Sequence, residues 1–154
     1  GIHKAAINKI LMIICAALLV WSLGLAINVA AANAEIGMIG YFIAPIGWGP
    51  MSGLLLHFTL LFTGKEKLLK KWWIYPLLYF PGLMMIYQFT ILQSIGHNTD
   101  GLIHTMHGWV PVLNYDIWDY LFYAYYIGFT VINLMVLLIT GKTSKDVRYC
   151  IRAS

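Results

Sequence analysis

The feature that most constrains this chain is a set of four long stretches without a single charged residue. They cover residues 10–34, 36–64, 72–99 and 120–141. A helix needs about 20 predominantly apolar residues to cross the hydrocarbon core of a bilayer, and each stretch reaches that length. Because backbone N–H and C=O groups have no water to bond inside lipid, each stretch is expected to be helical.

Composition agrees with a lipid environment. Hydrophobic residues make up 60% of the 154 residues and charged residues only 10%, whereas a soluble domain carries about 25% charged residues. The sequence therefore predicts an all-α integral membrane protein, a single-domain four-helix transmembrane bundle over residues 1–154. The predicted spans are 10–32, 38–63, 72–93 and 118–140, with a cytoplasmic loop at 64–71 and an extracellular loop at 94–117.

The positive charges fall in three places: before the first span, between the second and third, and after the fourth. They are Lys4, Lys9, Lys65, Lys67, Lys70, Lys71, Lys142, Lys145, Arg148 and Arg152. Four single crossings bring all of them to one face, which the positive-inside rule makes cytoplasmic. The predicted localisation is the plasma membrane, with both ends of this chain in the cytoplasm.

The segment "APIGWGPMSG" at residues 44–53 interrupts the second stretch with prolines and glycines. Two crossings of residues 36–64 would each be too short, and the lysines that follow would face the wrong side. We therefore expect one span whose outer half Pro45 and Pro50 kink or partly unwind. Irregular backbone at membrane depth lies against protein or a water-filled cavity. The break is thus either one wall of a ligand crevice or a plain kink that shapes the bundle.

His57 is the one ionisable side chain well inside an apolar run. An ionisable group in a membrane span is by default a functional candidate, so His57 is a possible intramembrane switch. The competing interpretation is a neutral imidazole that makes one hydrogen bond to a neighbouring helix.

The predicted outer loop contains His97, His104 and His107. Imidazoles bind Zn²⁺, but these spacings match no strict zinc pattern, so the three are only weak metal candidates and no metal is assigned. The i, i+3 spacing of the last two would place them on one face of a helical turn. Titration near neutral pH and simple solvation are the other interpretations. Apolar residues in the loop suggest that it folds back over the bundle as a lid.

The sequence lacks the motifs that are typical of several classes of function. No phosphate-binding glycine loop, nucleophile–base pair or paired intramembrane carboxylates occur in the sequence, so we expect no catalysis and no cofactor. The net charge of +4 is too small and too localised to indicate nucleic acid. The expected partners are the lipid bilayer and a small-molecule or peptide signal at the outer face.

Three segments carry a resemblance to a known family. They are "LLVWSLGLAINV" (18–29), "GWGPMSGLLLHFTLLFTGKEKLLKKWW" (47–73) and "PLLYFPGLMMI" (76–86). Their order resembles the seven-helix membrane sensor region at the N-terminus of certain bacterial histidine kinases. In that family a helix ends in F-x-x-x-F/Y-T-G, here Phe58, Phe62, Thr63 and Gly64, and a basic loop and a helix with an early proline follow.

The resemblance covers about half of the chain and implies that the four spans correspond to helices two to five of seven. The remaining helices and the kinase, including its phosphorylated histidine, would lie outside these residues. A histidine kinase would also imply a homodimer. The role that the resemblance implies is reception of an extracellular or membrane-borne signal in a two-component system.

We therefore expect a signal-receiving membrane domain whose ligand binds at the outer face. The predicted ligand-binding residues are Trp48, Pro50, His104, His107 and Trp109. One alternative is a subunit or fragment of a small transporter or channel, which ion-coupled uptake into liposomes would reveal. The second alternative is a membrane metalloenzyme that uses the three loop histidines.

Overall fold

The computed structural model describes the backbone of residues 2–92, 99–113 and 117–153, and the side chains of 4–92, 101–110, 112 and 117–141. Its helices are α1 (Ile2–Ala30), α2 (Ala34–Trp48), α3 (Met51–Phe62), α4 (Glu66–Leu69), α5 (Ile74–Ile86) and α6 (Ile117–Ala153). A π-helical segment, Tyr87–Leu92, continues α5. Strands β1 (Thr99–Thr105) and β2 (Gly108–Leu113) form a hairpin before α6.

Within the described residues, four helical runs are long and apolar enough to cross a membrane. They are Lys4–Ala30, Ala34–Phe62, Ile74–Leu92 and Ile117–Gly141. The predicted all-α architecture with four membrane-type helices is therefore confirmed, and the hairpin is an addition to it. The third helix begins at Ile74 and not at residue 72, because Trp72 and Trp73 lie in the preceding turn.

The second run is a single helix with a short break, as the sequence predicts. Gly49 (φ −54°, ψ −51°) and Pro50 (φ −82°, ψ −5°) separate α2 from α3, yet both keep right-handed helical angles. Hydrogen bonds from Gly49 N to Pro45 O (2.8 Å) and from Leu54 N to Pro50 O (3.0 Å) flank the break. Proline has no N–H to donate, so the hydrogen-bond ladder is interrupted at Pro50. Because both residues keep helical angles, the irregularity is a kink of two residues and not an unwound half-helix.

Small residues let α2 and α1 approach closely. A Cβ added at Gly40 would lie 2.4 Å from the carbonyl oxygen of Gly24, and one added at Gly47 would lie 2.4 Å from that of Ala17. These distances leave no room for a side chain. Close backbone contact through small residues is a main source of helix association in lipid, where hydrophobic burial contributes little.

On its other side the same span packs against α5. A Cβ at Gly53 would lie 2.1 Å from the carbonyl oxygen of Leu78, and one at Gly82 would lie 2.8 Å from Cα of Pro50. The kinked second span therefore lies between the first and third spans and touches both through its backbone.

The bundle has two distinguishable ends. At what we call the basic end, Lys9 of α1 and Lys70 of the turn after α4 line one cleft. At what we call the hairpin end, Trp109 of β2 donates a hydrogen bond from Nε1 to the backbone oxygen of Ala31 (2.9 Å). Helix α6 runs from the hairpin end toward the basic end, where Val136 packs against a core cluster that includes Ile10.

The outer loop, expected to fold back over the bundle as a lid, contains the β1–β2 hairpin. Its strands pair antiparallel, with His104 opposite Trp109 and Thr105 opposite Gly108. Gly108 has φ +97°, a value that favours glycine, and a Cβ there would lie 2.8 Å from Cα of Val29. The hairpin therefore packs against the junction between α1 and α2.

Candidate functional site

A cavity of about 220 Å³ opens between α1, α2, the π-helical segment and α6. Its lining is mostly aromatic and includes one carboxylate. The lining residues are Trp21, Leu25, Tyr41, Ala44, Pro45, Trp48, Phe89, Asp119, Phe122 and Tyr123. All four spans therefore contribute to this single cavity.

Trp48, the last residue of α2 before the break, lines one wall of this cavity. Its ring meets those of Phe89 and Phe122 edge-on, with centroids 5.3 Å and 4.7 Å apart. Phe89 and Phe122 are themselves 6.1 Å apart in the same kind of arrangement. Edge-to-face geometry is the preferred contact of aromatic rings, so the three rings hold the second, third and fourth spans together at this point.

Asp119 brings a carboxylate to the cavity. It lies in the first turn of α6, where the helix dipole favours negative charge, and only 8% of its surface is exposed. The faces of aromatic rings attract cations, and a carboxylate in apolar surroundings does so more strongly than in water. The lining therefore combines aromatic rings with one acidic side chain.

The hydroxyl of Tyr125 connects α6 to the break in the second span. It accepts a hydrogen bond from Gly53 N (3.1 Å) and donates one to Gly49 O (3.3 Å). In an unbroken α-helix these two backbone groups, four residues apart, would bond to each other. The hydroxyl is inserted into the helix at the kink, a recognised way to stabilise a bend.

The π-helical segment contains a buried polar residue, Gln88, next to the cavity. Gln88 is only 2% exposed, and its Oε1 has no hydrogen-bond partner among the described residues. It directly precedes Phe89, which lines the cavity. Single π-helical turns occur often at functional sites, so the segment adds to the case for this region.

The predicted ligand-binding residues separate into two groups. Trp48 lines the cavity, and Pro50 lies at the break against Gly82. His104 and Trp109 pack together on the hairpin with ring centroids 5.0 Å apart. Among the hairpin side chains that the structure describes, none lines the aromatic cavity.

His107 lies in the exposed hairpin turn, where its backbone N donates to Oγ1 of Thr105 (3.2 Å). The expectation that His104 and His107 share a helical turn is wrong, because His104 lies in β1 and His107 in the hairpin turn. His97 lies outside the described residues. Within the described part of the chain, no three His, Cys, Asp or Glu side chains are grouped to hold a metal ion.

His57 makes the helix-to-helix contact that the simpler interpretation predicts. Its Nδ1 and the Tyr79 hydroxyl share a hydrogen bond whose donor depends on the imidazole tautomer, and the bond joins α3 to α5. The ring also lies edge-on to Tyr75, with centroids 5.9 Å apart. A switching role for His57 stays a prediction.

Sequence reasoning missed Asp119 and Tyr125. Asp119 did leave a signal, because an acidic residue stands just inside the predicted span 118–140. Tyr125 left none, since the segment "YLFYAYYIG" (120–128) offers several tyrosines and only the packing selects one.

Comparisons of this chain with models of protein families, with curated proteins and with solved structures found no match.

Proposed function

We propose that the chain is a membrane-embedded signal-receiving domain and that its aromatic cavity binds a small organic cation. The observation that carries the proposal is the combination of a buried carboxylate, Asp119, with the rings of Trp48, Phe89 and Phe122 in one cavity. Aromatic rings around a cation, with or without a carboxylate, are a recurrent way to recognise ammonium groups.

The position of the cavity supports a signalling role over simple storage. Asp119 and Phe122 belong to α6, which continues without interruption to Ala153. At about 1.5 Å per residue, this helix of 37 residues extends roughly 55 Å. A ligand that favours one position of α6 over another would therefore change the position of the far end of the helix.

Such a mechanism needs an element with two arrangements, and we assign this role to the kink. Tyr125 lies on α6 close to the cavity and bonds to the backbone on both sides of the break. A shift of α6 would pull this hydroxyl away from Gly49 and Gly53, leaving their backbone groups to bond to each other. Ligand binding would bias the equilibrium between the kinked and the straighter span.

The direction of signalling and the nature of the output are also part of the proposal. The charge distribution supports a cytoplasmic basic end and an outer hairpin end in the plasma membrane. The resemblance to histidine-kinase sensor regions supports a kinase as the output and a homodimer as the assembly.

Binding is tested with choline and its uncharged isostere 3,3-dimethylbutan-1-ol, using tryptophan fluorescence of the whole chain in lipid nanodiscs. Choline is expected to bind at least about tenfold more tightly than the alcohol, because only the cation interacts with the carboxylate and the ring faces. Asp119→Asn should remove most of this preference. Equal affinity for the two probes would reject the proposed ligand class.

Glu35→Gln is the matched control, since Glu35 is an exposed acid near the hairpin end that does not line the cavity. It should change choline affinity by less than about twofold, as exposed charges are largely screened. Uptake of choline into liposomes against its gradient would assign the chain to the transporter alternative instead.

Orientation is tested separately by placing a single cysteine at residue 66 or at residue 100 in a chain without Cys15 and Cys150. A membrane-impermeant thiol reagent applied to intact cells should label the Asp100→Cys variant and leave the Glu66→Cys variant unlabelled. The reverse pattern would invert the proposed topology.

A further inference from the structure

A second cavity lies at the opposite end of the bundle, away from the aromatic cavity. This cleft has a volume of about 570 Å³ and is open to the surroundings. It lies between the beginning of α1, the end of α3, the α4 turn and the beginning of α5. Its position corresponds to the level where apolar span gives way to charged loop.

Two lysines from different segments meet at this cleft. Lys9 belongs to the first turns of α1 and Lys70 to the turn after α4, and both are exposed. Glu66 lines the cleft as well, so the three charges sum to one net positive charge (two lysines minus one glutamate). The cleft therefore favours an anion held on its lysine side.

The inner part of the cleft offers hydrogen-bonding groups. His57 and Tyr79 are half-buried there and bonded to each other, and the Tyr75 ring lies beside them. Their mutual bond uses one donor, so the pair has one donor left for an ester oxygen: the imidazole N–H or the phenol O–H, depending on the tautomer. This donor would hold the uncharged portion of a headgroup below the lysines.

The remaining wall of the cleft is apolar. Ile10, Ile13 and Leu61 line it, and Ile13 is 51% exposed. A free anion would gain nothing from this surface. An acyl chain would cover it and remain continuous with the surrounding lipid.

We propose that this cleft binds the phosphate headgroup of an anionic phospholipid, with Lys9 and Lys70 at the phosphate and an acyl chain along Ile13. Basic pockets between membrane helices at the cytoplasmic side are a known way to bind such headgroups. The inference goes beyond the proposed function, because it concerns another ligand at the other end of the bundle.

The test reconstitutes the whole chain in nanodiscs of phosphatidylcholine with increasing phosphatidylglycerol and follows the thermal unfolding midpoint. Native mass spectrometry counts the bound phosphatidylglycerol in parallel. Each of Lys9→Gln and Lys70→Gln should weaken the apparent phosphatidylglycerol affinity about fivefold, because each removes one charged contact to the bound phosphate. Lys70→Arg should restore most of the binding, because it restores the charge.

Lys71→Gln is the matched control. Lys71 is adjacent to Lys70 in sequence, but its ammonium lies 5.9 Å from the centre of the Trp73 ring and it is not part of the cleft lining. Its replacement should change the affinity by less than about twofold, because exposed charges outside the site are screened. An equal loss in Lys71→Gln and Lys70→Gln would overturn the site in favour of general attraction to the bilayer.

A second arm distinguishes the lipid from free phosphate. Inorganic phosphate added to protein in pure phosphatidylcholine discs should leave the midpoint unchanged. If it raises the midpoint as phosphatidylglycerol does, the assignment to a lipid is overturned. Choline binding at the hairpin end serves as an independent readout, so failure of this site and failure of the proposed function are separable.

Discussion

The second and fourth spans differ in how much of their surface other helices cover. In the most apolar part of the second span 56% of the residues are buried within the protein, compared with 6% in the fourth. The second span contacts its neighbours on both sides through backbone, at glycines such as Gly40 and Gly53. The fourth span leaves most of its aliphatic side chains exposed, among them Leu134, Leu138 and Ile139.

This difference shows two ways to place an apolar helix in a membrane. A central helix is held by close contact of small residues, because lipid removes most of the hydrophobic advantage of burying large ones. A peripheral helix leaves large side chains to the acyl chains and attaches at a few points. In α6 the described attachments include the Tyr125 hydroxyl, which bonds to the second span, and the ring of Phe122, whose centroid is 4.7 Å from that of Trp48.

The largest effect is expected from adding one methyl group to the central span. Gly53→Ala would place a carbon 2.1 Å from the backbone oxygen of Leu78, so α3 and α5 must separate. We expect a loss of about 3 kcal/mol in the free energy of unfolding, at the upper end of overpacking effects. Denaturant-induced unfolding in detergent micelles, followed by circular dichroism, measures it.

Gly128→Ala is the matched control in the peripheral span, where no atom of the described residues lies within 4 Å of the added carbon, its own helix aside. Since alanine favours helix by about 1 kcal/mol over glycine, this variant should be unchanged or slightly more stable. Similar destabilisation in both variants would contradict the distinction between a central and a peripheral span.

An intermediate effect is expected where the two spans meet. Tyr125→Phe keeps the ring and removes the hydroxyl that bonds to Gly49 and Gly53, leaving buried backbone groups without that partner. The expected loss is about 1–2 kcal/mol in the same unfolding measurement. Tyr126→Phe, on the neighbouring residue that is 43% exposed, should change stability by less than about 0.5 kcal/mol. Equal effects would mean that the hydroxyl does not stabilise the kink.

A smaller and local effect is expected at the hairpin that covers the start of the second span. Trp109→Phe removes the bond to the Ala31 oxygen, which should contribute about 1 kcal/mol. Hydrogen exchange should accelerate in the β1–β2 hairpin while the unfolding of the helices stays unchanged. If exchange speeds up uniformly across α1 and α2 as well, the hairpin is an integral part of the core.

The smallest effect is expected on the outward face of the fourth span. Leu138 is 67% exposed, so Leu138→Ala should change the free energy of unfolding by less than about 0.5 kcal/mol. The same measurement on Leu56→Ala, at a leucine that is 6% exposed in α3, should show a loss of about 2 kcal/mol or more. A large loss in Leu138→Ala would reveal that another protein surface, and not lipid, covers α6.

Features of this protein that depend on interactions between near neighbours in sequence could be predicted, and features that depend on contacts between distant residues could not. Charge-free length predicted the four helical spans, and the prolines predicted a kink within the second span, because both effects act within a few residues. The structure places that kink at residues 49–50, while Pro45 lies inside the regular part of α2. The hairpin was not predicted, since its strands depend on pairing between residues 99–105 and 108–113 and on the contact of Gly108 with Val29. The partner of His57 was predicted only as another helix, and the packing supplied Tyr79.

The candidate site divides in the same way. Trp48 was marked by its place beside the break, and Asp119 could have been marked by its place inside a predicted span. The rings of Phe89 and Phe122 carried no such mark among many similar residues. Their selection depends on which helix faces meet, and this is a property of the whole bundle.

By itself the sequence determined that this chain forms helices long enough to cross a bilayer, with a bend in the second. The reason is that a backbone inside a bilayer can satisfy its hydrogen bonds in few other ways. The tertiary structure decided which helix is central, which tyrosine completes the bend and which rings surround a carboxylate. Those choices depend on small residues allowing backbones to approach within van der Waals contact, a condition set by pairs of helices and not by either one alone.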